Sequence, residues 1–150
     1  MSENFELAMA VVQSREHFFP HSLNEDFKNR VLATRLRKAG VVCEANTSGK
    51  GADILGSDFV IEGKNALTSS TVLYTLKGQI DSNVQGGNRQ IGVVIYGNAS
   101  KRFLDELKSF ISGYYTTDIR VCVRDKLLGD GSNSKQPATS VEPVSTWLKL

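Results

Sequence analysis

The spacing of hydrophobic residues switches between helix and strand periods along the chain. Residues 4–19 carry apolar side chains at helical spacing, which predicts a first helix. A second helix is predicted to begin at Ser22 or Asn24 and to end at Gly40, because acidic residues occupy its first turn and basic residues its last. The apolar run VVCEA at residues 41–45 predicts a short strand after that helix.

The stretch GADILGSDFVIEGK, residues 51–64, has the period of a strand pair and predicts a hairpin. With a two-residue turn at Gly56 and Ser57, Asp53 lies opposite Val60. The hairpin then has an apolar face and a mostly charged face, formed by Ala52, Ile54, Phe59 and Ile61 and by Asp53, Asp58, Val60, Glu62 and Lys64. Carboxylates on one strand face repel each other and lower stability unless something binds them. A divalent cation is the expected binder.

The second half of the chain predicts two more helices and two more strands. A helix capped by Thr68, Ser69 or Ser70 is expected to bury a stripe of Val72, Leu73, Leu76, Ile80 and Val84. The run IGVVIYG is apolar almost throughout, which predicts a central strand covered on both faces. A helix from Asn98 or Ser100 follows, and DIRVCVRD predicts a last strand.

This order of elements predicts an α/β domain whose mixed central sheet has helices on both sides. The helix after the hairpin has the length of a crossover, so the hairpin and IGVVIYG are expected to be neighbours. Residues 1–128 form this domain, and residues 129–150 form a flexible C-terminal tail, because the composition changes there to GDGSNSKQPATSVEP. The terminal VSTWLKL, with Trp147, can contact either the domain or a protein partner.

Composition and charge exclude little beyond a membrane protein. The chain has 150 residues, 40% hydrophobic and 23% charged, and a net charge of +2 that neither indicates nor excludes a clustered basic surface. Cys43 and Cys122 stand in apolar runs and are expected to be buried, reduced thiols. No apolar run approaches the ~20 residues of a membrane span, and Glu3 and Glu6 do not suit a signal peptide. A cytoplasmic protein is expected.

The charged face of the hairpin offers the ligands that magnesium prefers. Mg²⁺ takes oxygen ligands and needs only one or two protein carboxylates, which Asp53 and Glu62 can supply together with the carbonyl of Gly63. Lys64 points the same way and can orient or deprotonate a water, or stabilise charge on a phosphate. Asp58 is the poorer partner, because it lies four residues and about 13 Å from Glu62 along the same strand. On spacing alone, a solvated outer face with Lys64 paired to a neighbouring carboxylate stays an equal alternative.

Asp53 followed by Glu62-Gly63-Lys64 resembles the PD-(D/E)xK motif of the restriction-endonuclease-like nuclease superfamily. The order of elements over about residues 22–125 is similar to that superfamily's core, although Ala52 replaces the proline before the first aspartate. The resemblance implies a restriction-endonuclease-like fold, with the helix at residues 4–19 as an addition. It also implies that Asp53 and Glu62 bind Mg²⁺ or Mn²⁺ and that Lys64 assists catalysis.

Two further site residues come from the same resemblance. Some members carry a glutamate on the first core helix, where Glu25 lies, and others a glutamine on the helix after the motif, where LKGQIDSNV supplies Gln79. The resemblance implies a magnesium-dependent nuclease acting on DNA, an endonuclease in preference to an exonuclease, and a homodimer that cuts both strands. Two alternatives stay open: a catalytically silent nuclease-fold module that binds DNA or a protein, and a small interaction protein that acts through its Trp147 tail.

Overall fold

The computed structural model describes residues 3–17, 19–20, 22–129 and 147–149. These residues form the helices α1 (Glu3–Gln13), α2 (Glu25–Lys38), α3 (Ser70–Gln85) and α4 (Lys101–Ile111). They also form the strands β1 (Cys43–Ala45), β2 (Ile54–Gly56), β3 (Val60–Lys64), β4 (Gln90–Ile95), β5 (Ala99–Ser100), β6 (Asp118–Val123), β7 (Leu127–Leu128) and β8 (Trp147–Lys149). Among the helices of these ranges, none combines the length and the apolar composition that crossing a bilayer requires.

The main sheet is mixed, which confirms the predicted α/β class. Its strand order is β1-β2-β3-β4-β6-β8, with β3, β4 and β6 parallel and the other pairs antiparallel. The backbone of β8 pairs with β6, so the end of the C-terminal tail lies against the domain. Residues 130–146 of that tail lie outside the described residues.

Helices cover both faces of the sheet, as the order of elements predicts. α1 and α2 pack on one face around Phe5, Leu32 and Ile61, and α3 and α4 pack on the other around Leu73 and Val93. The residues of β4 from Ile91 to Ile95 are all buried, which confirms the central strand. β3 and β4 are parallel neighbours joined by α3, which confirms the crossover.

The first helix is shorter than its hydrophobic pattern predicts. α1 ends at Gln13 rather than near residue 19, because the guanidinium of Arg124 donates to the backbone carbonyls of Val12, Ser14 and His17. Arg124, the residue after β6, therefore hydrogen-bonds the backbone carbonyls that would otherwise accept bonds in a longer helix. α2 begins as predicted at Asn24, whose Oδ1 accepts a hydrogen bond of 2.7 Å from the backbone N–H of Phe27.

The hairpin forms where the pattern predicts it, but with a different turn. The backbone N–H of Gly56 donates to the carbonyl of Phe59 at 2.8 Å, so Ser57 and Asp58 are the central turn residues. The ring of Phe59 explains this register, since a Cβ on Gly56 would lie 2.2 Å from it. Ile54 pairs with Ile61, and continuing that register places Asp53 opposite Glu62 rather than opposite Val60.

The predicted division of the hairpin into two faces is partly wrong. Asp58 lies exposed in the turn, where its Oδ1 is 3.5 Å from Nδ2 of Asn4, and so it does not join Asp53 and Glu62 on one face. Ala52 packs with the α3 and α4 cluster instead of with Ile54, because it precedes β2 and its carbonyl accepts from the side chain of Asn46. The alternative of a solvated outer face is also wrong, since every residue of β3 is buried.

Candidate active site

The predicted site residues meet at the C-terminal end of β3, between α2 and α3. Asp53 directly precedes β2, and Glu62, Gly63 and Lys64 are the last three residues of β3. Oδ2 of Asp53 accepts a hydrogen bond of 2.9 Å from the backbone N–H of Gly63. The Asp53 carboxylate is therefore fixed against the strand segment that carries the other two motif residues.

Glu62 is a buried carboxylic acid with only half of its hydrogen-bonding capacity used. Glu62 is only 1% exposed to solvent. Its Oε2 accepts a hydrogen bond of 2.8 Å from Nδ2 of Asn83 on α3. Its Oε1 is buried and has no hydrogen-bond partner among the described residues. The pKa of Glu62 is raised to about 7, mainly by burial and in part by the nearby Asp53, while Asn83 and Lys64 oppose the shift. A buried carboxyl group of this kind is stable only when it is protonated or when a cation binds its charged form.

These side chains fit a divalent cation. The Glu62 carboxyl has an unpaired Oε1 and lies near enough to the Asp53 carboxylate for that charge to raise its pKa. Carboxylate oxygens of this kind are what magnesium and manganese bind. Gln79, one turn before Asn83 on α3, also has a buried Oε1 without a hydrogen-bond partner in the described structure. No cluster of three or more His, Cys, Asp or Glu side chains suited to a metal occurs within the described ranges, so further ligands would be neutral oxygens or water.

The backbone carbonyl of Gly63 is placed to be one of those neutral oxygens. The N–H of Gly63 points toward the β2 side of the strand, because it donates to Asp53. In an antiparallel pair the N–H and C=O of one residue point to the same side. The carbonyl of Gly63 therefore also faces the Asp53 side, as the predicted ligand role requires.

Lys64 and Glu25 form an ion pair on the α2 side of the site. Lys64 is 9% exposed, and its Nζ lies 3.8 Å from Oε1 of Glu25. Oε2 of the same glutamate accepts a hydrogen bond of 2.9 Å from the backbone N–H of Asn65. Glu25 thus contacts both the ammonium of Lys64 and the backbone of Asn65, the residue that follows it.

Asn29 of α2 and Tyr96, which follows β4, hold the motif from the other face of the sheet. The hydroxyl of Tyr96 donates to Oδ1 of Asn29 at 2.7 Å, and both side chains press on Gly63. A Cβ on Gly63 would lie 2.0 Å from Oδ1 of Asn29 and 2.9 Å from Cε2 of Tyr96. Burial raises the pKa of Tyr96 well above its ordinary value, with the charges of Asp53 and Glu25 adding to it, so its hydroxyl remains a donor.

Lys28 ties the first turn of α2 to the end of β3. It is buried, and its Nζ donates to Oδ1 of Asn65 at 2.9 Å and lies 5.8 Å from the centre of the Tyr96 ring. Burial lowers the pKa of Lys28, and the charge of Glu25 opposes that shift. A buried lysine is costly in a structural position. Lys28 therefore places a positive charge at Asn65, the residue that follows Lys64.

Sequence reasoning did not identify Asn83, Lys28, Asn29 or Tyr96. The signal for Asn83 was present, since it follows Leu76 and Ile80 at helical spacing and so lies on the inward stripe of α3. Lys28 and Asn29 likewise occupy the inward face of α2 with Leu32 and Ala33, where polar residues need partners. Tyr96 carries no such local signal, because its contact with Asn29 depends on how α2 packs across the sheet.

No family model, curated protein or solved structure matches the chain. The function of this chain must therefore be inferred from the chemistry of the residues that meet at the end of β3.

Proposed function

We propose that this protein is a divalent-metal-dependent nuclease of the PD-(D/E)xK superfamily that hydrolyses phosphodiester bonds of DNA. The main support for this proposal is the carboxyl group of Glu62, which is buried and has one oxygen without a hydrogen-bond partner among the described residues. Glu62 lies opposite Asp53 in the hairpin and precedes Lys64 by two residues. An unpaired buried carboxylate oxygen lowers stability, so a purely structural role does not account for it. The order α2, hairpin, α3, β4, α4, β6 agrees with a restriction-endonuclease-like core.

Asp53, Glu62 and the carbonyl of Gly63 would hold the ion, which is Mg²⁺ or Mn²⁺. When bound, such an ion polarises a phosphoryl oxygen and lowers the pKa of its bound water. The free Oε1 of Gln79 can accept a hydrogen bond from a water or supply a further ligand oxygen. The ammonium of Lys64, held by Glu25, orients the attacking water and stabilises negative charge on the phosphate under attack.

One site cuts one strand, so complete cleavage of a duplex favours two copies of the chain. A homodimer with a two-fold axis would present two equivalent sites to the two antiparallel strands of DNA. Such an arrangement suits an endonuclease, which cuts within a duplex. A catalytically silent member would bind DNA or a protein without cutting.

The test incubates the full chain with linear duplex, single-stranded and branched DNA, and with RNA, in Mg²⁺ or Mn²⁺ and then in excess chelator. We expect the wild type to cleave DNA only when the metal is present, and we expect Asp53→Asn to abolish this cleavage. Asp58→Asn is the matched control, because Asp58 is the other aspartate of the same hairpin and lies exposed in its turn. Cleavage that survives Asp53→Asn would overturn the proposed site. DNA binding without any cleavage would favour the silent module.

A further inference from the structure

One polar residue interrupts the apolar stripe by which α3 packs on the sheet. The buried residues of that stripe are Leu73, Leu76 and Ile80, followed by Asn83, which is 7% exposed. A buried amide lowers stability unless the protein satisfies its hydrogen bonds. The partners of Asn83 therefore indicate why an amide stands at this position.

The side chain of Asn83 has its partner in the candidate active site. Its Nδ2 donates a hydrogen bond of 2.8 Å to Oε2 of Glu62, and both residues are buried. An amide N–H can only donate, so this bond engages Oε2 as an acceptor. Oε1 of the same carboxyl group has no hydrogen-bond partner among the described residues. The two oxygens of Glu62 thus differ, and Oε1 is the one left to bind a cation.

The turn after α3 holds the backbone of Asn83 in place. The carbonyl of Asn83 accepts hydrogen bonds from the backbone N–H and from Nδ2 of Asn88, both at 3.1 Å. Gly87 adopts φ +94° just before Asn88, which lets the chain fold back onto the end of the helix. A fixed backbone limits the positions that the Asn83 amide can take, and so fixes the oxygen of Glu62 that it binds.

The other carboxylate of the site is held in a similar way. Oδ2 of Asp53 accepts its hydrogen bond of 2.9 Å from the backbone N–H of Gly63. Asp53 and Glu62 therefore each have one oxygen bound to a donor of the protein. Hydrogen bonds of this kind orient metal-binding carboxylates, and losing one typically costs about 10–100-fold in metal affinity or activity.

We propose that Asn83 is a positioning residue of the metal site: by binding Oε2 of Glu62, it presents Oε1 to Mg²⁺ or Mn²⁺. Asn83 acts through Glu62 rather than on the cation. This inference rests on the proposed nuclease function and adds a residue that sets the affinity of the site for metal. An amide with a purely structural role would stabilise the fold and leave that affinity unchanged.

The binding test measures Mn²⁺ bound by the full chain without nucleic acid, from the electron paramagnetic resonance signal of the free ion. Asn83→Leu removes the hydrogen-bond donor and places an apolar side chain of the same branched shape in the apolar stripe of α3. We expect this variant to bind Mn²⁺ about 10–100-fold more weakly than the wild type. Asn83→Ala removes the donor without adding bulk, and the same loss is expected, so either folded variant decides the question.

A conservative variant should recover part of the lost affinity. Asn83→Gln keeps an amide donor at the same position of α3, so its affinity for Mn²⁺ should lie between those of the wild type and Asn83→Leu. In cleavage assays Asn83→Leu should need a correspondingly higher Mn²⁺ concentration to reach half of its maximal rate, because the lost bond lowers the occupancy of the metal site.

Two controls separate metal binding from the stability of the fold. Asn88→Ala removes the side chain that binds the carbonyl of Asn83, but it leaves the bond between Asn83 and Glu62 in place. Lys38→Ala removes an exposed cation from the far end of α2, about 20 Å along that helix from Glu25. Both variants should bind Mn²⁺ as the wild type does, and thermal unfolding shows that each protein is folded at the assay temperature.

The outcomes distinguish this inference from the proposed function. If the wild type binds Mn²⁺ and Asp53→Asn does not, while Asn83→Leu binds it as tightly as Asn88→Ala, then Asn83 is a structural residue and the nuclease assignment stands. Equal affinities of Asn83→Gln and Asn83→Leu would contradict the role of the amide donor. If the wild type binds no Mn²⁺ at all, the proposed function fails first.

Discussion

At the scale of single residues, Glu62 has the most unusual environment. It is buried to 1% exposure, one oxygen is bound by Asn83, and the other has no partner in the described structure. The sequence allowed Asp53 to be preferred to Asp58 as its partner, because a strand spacing of four residues is too long for one ion. It could not reveal Asn83, whose importance depends on α3 packing over β3. Short-range spacing was therefore predictable and the contacts between elements were not.

The ionisation of Glu62 should make the metal-free protein less stable as pH rises. Its pKa is about 7 in the folded state against an ordinary value of 4.5, so the folded state holds the proton more tightly than the unfolded state. The resulting stabilisation is complete below pH 4.5 and is lost as pH rises through 7, by on the order of 3 kcal/mol. Urea unfolding in chelator at several pH values should show this loss in the wild type. Glu62→Gln should remove it, and equal slopes in both proteins would contradict the assignment.

Gly63 should tolerate no side chain. In Gly63→Ala the new Cβ would lie 2.0 Å from Oδ1 of Asn29, which costs about 1–3 kcal/mol of stability as overpacking. Gly78→Ala is the control, because a Cβ there meets nothing within 4 Å and replaces a glycine inside α3. It should stabilise the protein by about 1 kcal/mol. Thermal unfolding of both variants measures the difference, and a Gly63→Ala protein as stable as Gly78→Ala would contradict the packing described.

At the scale of elements, the spacing of hydrophobic residues identified the hairpin, α2, α3, β4, α4 and β6. Tertiary contacts changed the end of α1 and the position of the hairpin turn. α1 ends early because Arg124 binds the carbonyls beyond Val12, and the hairpin turn moves because Phe59 covers Gly56. The first effect has no local signal, since Arg124 and Val12 are 112 residues apart in the sequence. The helix caps were more predictable, because capping residues act on their own helix.

The two serine caps should respond differently to alanine. Ser69→Ala removes a hydrogen bond of 3.2 Å to the N–H of Val72 and should cost about 0.5–2 kcal/mol of stability. Ser100→Ala removes no capping bond, so the free energy of unfolding should change by less than about 0.5 kcal/mol. Chemical denaturation of the two variants under identical conditions makes the comparison. Equal losses would show that Ser100 caps α4 in solution.

At the scale of the whole molecule, the fold directs three helix N-termini toward one end of the sheet. α2, α3 and α4 all begin at the end where β3 and β4 stop, so three helix dipoles point their positive ends there. A net charge of +2 gave no sign of this, because it reports the sum of charges and not their positions. The α/β class and the layers on both faces followed from the order of elements. The pairing of β8 with β6 did not, because a three-residue strand after a polar tail has no distinctive pattern.

The most direct test of the central claim is the initial rate of DNA cleavage by Lys64→Ala in saturating Mg²⁺, measured beside the wild type and Lys38→Ala. Lys64 is the one motif residue proposed to act on the reaction without holding the metal, so its loss should spare metal binding. We expect a rate about 10²–10⁴-fold below wild type for Lys64→Ala, in protein that a melting curve shows to be folded at the assay temperature, and a wild-type rate for Lys38→Ala. Cleavage by Lys64→Ala at the wild-type rate would contradict it.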